Sequence, residues 1–387
     1  MSSTKPLAGM KVLEIGHSVA APYAGMILGE LGADVVKLEN PGQGDYARGW
    51  GPPFLGDTAT AFHVFNRAKR GITADLADET TRARVRRLIL DEMDVVLHNL
   101  KPGAPDKLGL GAEGLLAEKP SLIFCNIGAF GAQGPLNRLP GYDPLMQAFG
   151  GLMSILGEDG RPPVRVPVSV MDLGTGMWTV IGILAAHAER ARTGLGGIVD
   201  TSLFETSCAW MGLPIANYLA SGNVPRRAGS GVAEIVPYQA FACQDGHLMI
   251  ASGNDNLFRK LCGVLGQPAL ADDPRFAKNA GRVENRGPII DILSAALAGD
   301  TRAAWQAKLE AVGVPCGPVQ TLDQVLAHPQ TAALGILQTS PDGKLRTIGL
   351  PLSFDGQRPG YDTVAPGLGE HTAEVLAEVG AKKLPYG

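Results

Sequence analysis

Asp172 is the side chain best placed in the sequence to carry covalent chemistry. It lies in Val168-Ser169-Val170-Met171-Asp172-Leu173-Gly174-Thr175-Gly176, a carboxylate among apolar and small residues at the start of a long apolar run. Two readings stand side by side. One is a helix N-cap, a position aspartate favours and one where the helix dipole keeps it ionised. The other is a partly desolvated nucleophile, because removing the water around a carboxylate leaves a reactive anion. Competing patterns are missing: there is no GxSxG elbow with Ser, Asp and His in order. His17, His63, His98 and His371 are isolated and read as structural, and no clustered ligand set points to a metal. Cys125, Cys208, Cys243, Cys262 and Cys316 are scattered without a CxxC pair, and read as free thiols with no disulfide framework. Asn66-Arg67-Ala68-Lys69-Arg70 is a denser basic run, able to hold phosphates through charge-assisted bonds. Arg48, Lys101 and Lys107, taken singly, read as solvated surface.

The elements that must position these residues follow an α/β pattern. Lys11 to Ile15 reads as a strand, Gly16 breaks it, Pro22 suits the first turn of a helix through Leu31, and Asp34 to Leu38 reads as the next strand. This βαβ start predicts a parallel sheet. The first turn fails as a dinucleotide fingerprint, because Gly16 is followed by His17-Ser18-Val19-Ala20-Ala21 rather than two more glycines. It reads as an ordinary βα turn, or as a loop against another ligand's adenosine or diphosphate. A helix over Thr80 to Leu90, strands at Asp94 to His98 and Leu122 to Ile127, and a glycine-rich loop from Gly128 to Gly134 follow. Residues 172–190 form a long helix buried on several faces; a strand near Ile198 to Leu203 and more helix to about Ala220 come next. The Gly- and Pro-rich stretch at 221–236 marks a boundary, so the large domain takes 1–220 and a smaller α/β domain 221–319. The small domain opens with a hairpin around Gln244-Asp245-Gly246 and a helix capped by Asp255. Residues 320–387 hold two helices and a strand pair, and are expected to pack back on the large domain.

Composition bounds the function classes. The chain has 387 residues, 45% apolar and 19% charged, enough for two or three globular units. Its 51 glycines show no collagen-like period and imply many tight turns. With 34 Lys and Arg against 38 Asp and Glu the net charge is −4, which argues against nucleic acid as the main partner. A local basic groove for a phosphorylated small molecule stays open. No secretory leader is visible, and the longest apolar stretch, Trp178 to Ala186, is far short of a bilayer span. The expectation is a cytoplasmic protein without a membrane partner.

Taken together, these segments resemble the class III CoA-transferase family, the group containing formyl-CoA transferase and carnitine CoA-transferase. Residues 32–41 (GADVVKLENP) are similar to the family's second strand and its exit, and Asn66 to Arg70 with Asp75-Leu76 to its NxxKR…DL segment. Asp94 to Gly103, Gly128 to Pro135, Gly141-Tyr142-Asp143, Asp172 to Gly176, Arg192-Thr193-Gly194, Gly313 to Pro318 and Gly369-Glu370-His371-Thr372 follow in the family order. The resemblance covers nearly the whole chain.

What it implies is a Rossmann-like large domain with a parallel sheet, built from both chain ends, and a small domain between them. Two such ring-shaped chains interlock as a homodimer. It implies that Asp172 is the nucleophile, forming first a mixed anhydride with the acyl group and then an aspartyl-CoA thioester. Gly229, Ser230 and Gly231 match the family's glycine loop, a candidate lid and oxyanion donor; Tyr142 and Asp143 are candidate helpers. Coenzyme A contacts carry over to His17, Ser18, Ala20, Lys69, Asn99, Leu100, Lys107 and Leu108. Coenzyme A enters as substrate, and no metal or tightly bound cofactor is implied. Val19, Asn40 and Pro140 replace a glutamine, an arginine and a lysine of formyl-CoA transferase, which argues against formate or oxalate as substrate. Ala216-Asn217-Tyr218-Leu219 and Ile235 to Phe241 look like succinyl-CoA:glutarate and related dicarboxylate CoA-transferases. A dicarboxylate needs a cation for its distal group, and Arg165, Arg226 and Arg227 are candidates. The alternatives are a racemase-like isomerase, disfavoured because Tyr142 stands where that branch has a histidine base, and a non-catalytic CoA-binding protein.

Overall fold

The computed structural model describes residues 5–381. The chain divides into two compact units. The first takes residues up to Gly150, Val166–Met211 and Pro329 onward; the second takes Gly151–Arg165 and Gly212–His328.

Six parallel strands form the sheet of the first unit: β1 (Lys11–Ile15), β2 (Asp34–Glu39), β3 (Arg70–Thr73), β4 (Val95–His98), β5 (Ile123–Gly128) and β6 (Gly197–Ser202). Their spatial order is β3-β2-β1-β4-β5-β6. The order reverses between β1 and β4, the switch point where doubly wound sheets bind ligands beyond the carboxyl ends of their strands. Helices on both faces explain why β4 (Val-Val-Leu-His) is buried throughout. Leu13, Val36, Ile72, Leu88, Val96 and Phe124 share one buried cluster. Glu14 and Lys37 break the apolar pattern of these strands: they are adjacent in register, fully buried, and ion-paired at 3.0 Å. The short edge strand β3 begins at Arg70, the last residue of the run that the sequence presented as a phosphate cradle, and Arg70 pairs with Asp34 at 2.6 Å.

Helix α1 (Ala20–Glu30) follows β1, and α2 (Glu79–Glu92) precedes β4. Three further helices are α3 (Asp143–Phe149), α4 (Val170–Thr193) and α5 (Leu203–Trp210). Helix α1 sits unusually close to its neighbours on two sides. A Cβ on Gly25 would meet Glu14 Oε2 at 2.0 Å, and one on Gly176 of α4 would meet the Ala20 carbonyl oxygen at 2.9 Å. By length and composition alone, α4 is apolar enough to cross a bilayer. It buries Met171, Gly174, Thr175, Gly176, Thr179, Val180 and Ile183 along one face. The expectation of burial on several faces is corrected: Met177, Trp178 and Ile181 are 50%, 44% and 52% exposed. The C-terminal segment joins the first unit through His371, whose N–H donates to Gly71 O at 2.8 Å, and Thr372, whose Oγ1 accepts from Thr73 N at 3.0 Å. Beyond residue 320 the described residues carry helices Leu322–Ala327, Pro329–Ala333 and Thr372–Ala381, one more than expected, with the strand pair Leu337–Thr339 and Arg346–Ile348. The first of those helices belongs to the second unit.

The second unit is an antiparallel sheet of β7 (Tyr238–Cys243), β8 (Gly246–Ala251) and β9 (Cys316–Pro318), with β8 central. It packs on helices through Phe241, Leu248, Phe258, Leu261, Ile289 and Leu293. Its limits differ from the expected 221–319. The glycine-rich stretch lies inside the unit rather than at its border, and Gly151–Arg165 joins it through the Gly229 N–H bond to Gly157 O at 2.9 Å. Asp255 is not the helix cap. Asn254 takes that place, accepting from Leu257 N, while Asp255 pairs with the buried guanidinium of Arg282 at 3.0 Å.

Candidate active site

The loop after β1 is held in a conformation that its sequence disfavours. Ser18 has φ 69°, a left-handed value uncommon for a residue with a side chain. Asp45 Oδ1 accepts from the Ser18 and Ala47 N–H groups at 2.9 Å each. Asn99 brackets His17: its Oδ1 accepts from His17 N at 3.0 Å, and its Nδ2 donates to His17 O at 2.8 Å. Asp45 is in turn ion-paired to Lys37 at 2.9 Å, Lys37 to Glu14, and Glu14 to Lys69 at 2.6 Å. Against the burial that would lower it, Glu14, Asp45 and Glu39 hold the Lys37 ammonium well above the ordinary lysine range. Burial pushes the Lys69 ammonium down to about 8 despite Glu14. A chain of buried charges thus anchors the loop. Burial also lowers His17. His98 is pushed down to about 4 by burial, and its Nδ1 accepts from Leu100 N at 3.2 Å, fixing the turn after β4.

Asp172 is the third residue of α4. The N-cap position belongs to Ser169, whose side chain makes no capping bond. Asp143, 2% exposed at the start of α3, does that work from outside the helix. Its Oδ2 accepts from Met171 N at 2.7 Å and Asp172 N at 3.4 Å, and its Oδ1 accepts from Gln147 Nε2 at 2.5 Å. The capping reading of Asp172 therefore gives way. Its own carboxylate has no hydrogen-bond partner among the described residues. The helix dipole does not keep it at an ordinary value either: burial, reinforced by the Asp143 charge, pushes it up to about 7.

Asp172 opens into a cavity of about 490 Å³ at the carboxyl ends of β1, β4 and β5. His17, Ser18, Ala20, Asn99, Leu100, Lys101 and Pro102 line it from the exits of β1 and β4; Ile127 to Ala129, Arg138 to Tyr142 and Leu203 line it from the exit of β5 and the starts of α3 and α5. Tyr142 is 60% exposed. A second cavity of about 270 Å³, toward the ends of β1 and β2, shares His17, Tyr46 and Leu100 with the first. The two cavities therefore adjoin at these residues.

Of the sequence-derived candidates, His17, Ser18, Ala20, Asn99, Leu100, Tyr142 and Asp172 come together on this cavity. Asp143 stands behind it, holding α4. Lys69 is corrected as a direct contact: it is 2% exposed, and its three donors are taken by Glu14, Pro22 O and Asn66 Oδ1. Lys107 is exposed and Leu108 packs against the sheet core, neither on the cavity wall. Gly229, Ser230 and Gly231 belong to the second unit, where Ser230 Oγ accepts from Ala240 N at 3.0 Å. Arg165, Arg226 and Arg227 belong to that unit too. Sequence reading passed over Glu14, Lys37, Asp45 and Arg138. A lysine and a glutamate at facing positions inside apolar strands were the available signal for the first two.

Comparison with known proteins agrees with this arrangement. The profile of CoA-transferase family III matches residues 7–372. A succinate–glutarate CoA-transferase from Agrobacterium fabrum is 38% identical, covering 97% of this chain and 96% of that protein. An acetyl-CoA:oxalate CoA-transferase from Acetobacter aceti is 36% identical over 97% of this chain and 96% of its own length. The crystal structure of a CAIB/BAIF family protein from Brucella suis, 41% identical, superposes with a TM-score of 0.86 over 97% of this chain and 100% of that one. With its parallel sheet, its switch-point cavity and an unpartnered aspartate in that cavity, the chain belongs to CoA-transferase family III.

Proposed function

We propose that the protein transfers coenzyme A from an acyl-CoA such as succinyl-CoA to a dicarboxylate, with Asp172 as the covalent nucleophile. The observation that carries this reading is the Asp172 carboxylate itself, unpartnered and opening into the cavity. A carboxylate left without hydrogen bonds is a stronger nucleophile than a solvated one. One of its oxygens attacks the thioester carbonyl, the C–S bond breaks, and CoA leaves as thiolate. The product is an acyl-aspartyl anhydride. The thiolate then attacks the aspartyl carbonyl, releasing the donor acid and leaving an aspartyl-CoA thioester. The acceptor carboxylate attacks that thioester, expelling thiolate, and the thiolate attacks the acceptor's carbonyl. The new acyl-CoA departs and Asp172 is a free carboxylate again. An anhydride keeps the acyl group activated through these exchanges, where an ester would not.

Coenzyme A lies along the His17, Ser18, Ala20, Asn99 and Leu100 wall, with the smaller cavity taking its nucleotide end. The dicarboxylate assignment is supported by the relatives' substrates, since succinate, glutarate and oxalate all carry two carboxylates. The chain acts as a cytoplasmic homodimer: the exposed apolar face of α4 supports a second copy as the surface that covers it.

The test is a mixed-acceptor assay. Succinyl-CoA is incubated with the protein and straight-chain acids from oxalate to adipate, with monocarboxylates alongside, and products are read by mass. New acyl-CoA from the wild type and none from Asp172→Ala is the expected result. Product that survives Asp172→Ala removes Asp172 from the mechanism. Deuterium exchange at the α-carbon without transfer selects the isomerase instead.

A further inference from the structure

The Asp172 cavity has an uneven charge distribution. Among its lining residues Asp172 is the sole carboxylate, and Lys101 and Arg138 are the lysine and arginine side chains. The two cations come from different segments of the lining. Lys101 follows Asn99 and Leu100 after β4, and Leu100 also lines the second cavity. Arg138 begins the segment Arg138 to Tyr142, which leads directly into Asp143. Asp143 bonds the backbone of Asp172, so this segment is anchored to the nucleophile's own helix turn. Arg138 is exposed, and its guanidinium has no hydrogen-bond or ion-pair partner among the described residues. Leu139, Pro140 and Gly141 beside it offer no competing charge.

We propose that Arg138 binds the distal carboxylate of the dicarboxylate substrate while its reacting end is at Asp172, and so sets the preference for diacids over monoacids. The inference rests on the transfer reading above. A guanidinium fork suits the task because it takes both oxygens of a carboxylate at once. The second-unit arginines are not needed.

Phosphate is the other anion that a cavity binding coenzyme A would offer to Arg138, and the experiment separates the two. Binding is measured by calorimetry in an Asp172→Asn background, which prevents turnover, with succinyl-CoA, butyryl-CoA and free coenzyme A as probes. The parent binds succinyl-CoA at least tenfold more tightly than butyryl-CoA, which has the same chain length and no distal charge. Adding Arg138→Ala removes that preference and leaves the affinity for free coenzyme A unchanged; Arg138→Lys restores part of it. A preference that survives Arg138→Ala overturns the proposal. So does an equal loss for all three probes, which assigns Arg138 to phosphate. A parent that binds both acyl-CoAs equally overturns it while leaving the transfer reading intact. If the wild type moves no acyl group between any acids, the transfer reading fails, and the binding preference still decides the role of Arg138. A parent that binds no probe overturns both. Melting curves of the variants confirm the fold.

Discussion

Replacing Asp172 with asparagine should abolish transfer and stabilise the protein above neutral pH. The carboxyl group ordinarily titrates at 3.8 and is pushed up to about 7 in the folded chain. The folded state therefore holds this proton more tightly than the unfolded one. Ionising the group costs stability: nothing below about pH 4, an increasing amount between 4 and 7, and the full amount above 7. Roughly three pK units at 1.36 kcal/mol each set a ceiling of about 4 kcal/mol. The side chain is half-buried and opens to water, so screening reduces this to about 1–2 kcal/mol. The asparagine side chain is isosteric and uncharged, so the variant gains that amount at pH 8 and nothing at pH 4. In a unit of this size the gain is a rise of about 2–4 °C in Tm at pH 8. Thermal unfolding followed by circular dichroism at pH 4.5, 6 and 8 measures it, with acyl-CoA formation read in parallel. A variant less stable than the wild type at pH 8, or equally shifted at both pH extremes, refutes the claim that Asp172 is held as a desolvated anion. Loss of activity together with gain of stability is the signature of a group kept strained for function.

The wild-type kcat/KM for acyl-CoA should climb with pH along a limb near 7, as Asp172 loses its proton. Asp143→Asn keeps an oxygen to cap α4 but removes the neighbouring charge, so the limb moves to lower pH; a limb that stays in place removes Asp143 as a cause. Asp45→Ala strips Lys37 of an ion pair and frees the Ser18 N–H, costing about 3 kcal/mol in urea unfolding. On the proposed placement of coenzyme A along this loop, the same variant raises KM for acyl-CoA more than it lowers kcat. Gly176→Val drives a side chain into the Ala20 carbonyl oxygen and costs at least about 2 kcal/mol, with unchanged stability as the contrary result.

Strand and helix positions in the first unit were legible because apolar runs broken by Gly16, Gly32 and Gly194 leave few alternatives. Strand β3 was not, since four residues containing a glycine and an arginine carry no periodicity. The small-domain limits were misjudged for a related reason. A glycine-rich stretch marks where the chain turns, not which unit its turns pack against.

The site divides along the same line. The sequence alone determined that Asp172 begins an apolar helix and that His17, Ser18, Asn99 and Leu100 stand at strand exits, because local pattern places strand ends. Its family motifs then named the chemistry. Only the tertiary structure decided whether Asp172 caps its helix. That choice depends on whether another group satisfies the first turn of α4, and Asp143, 29 residues away in sequence, does so. It also moved Lys69 from ligand contact to the buried ion-pair chain and brought Arg138 to the cavity. Charges act through distance and burial in space, and neither quantity is written in the order of residues along a chain.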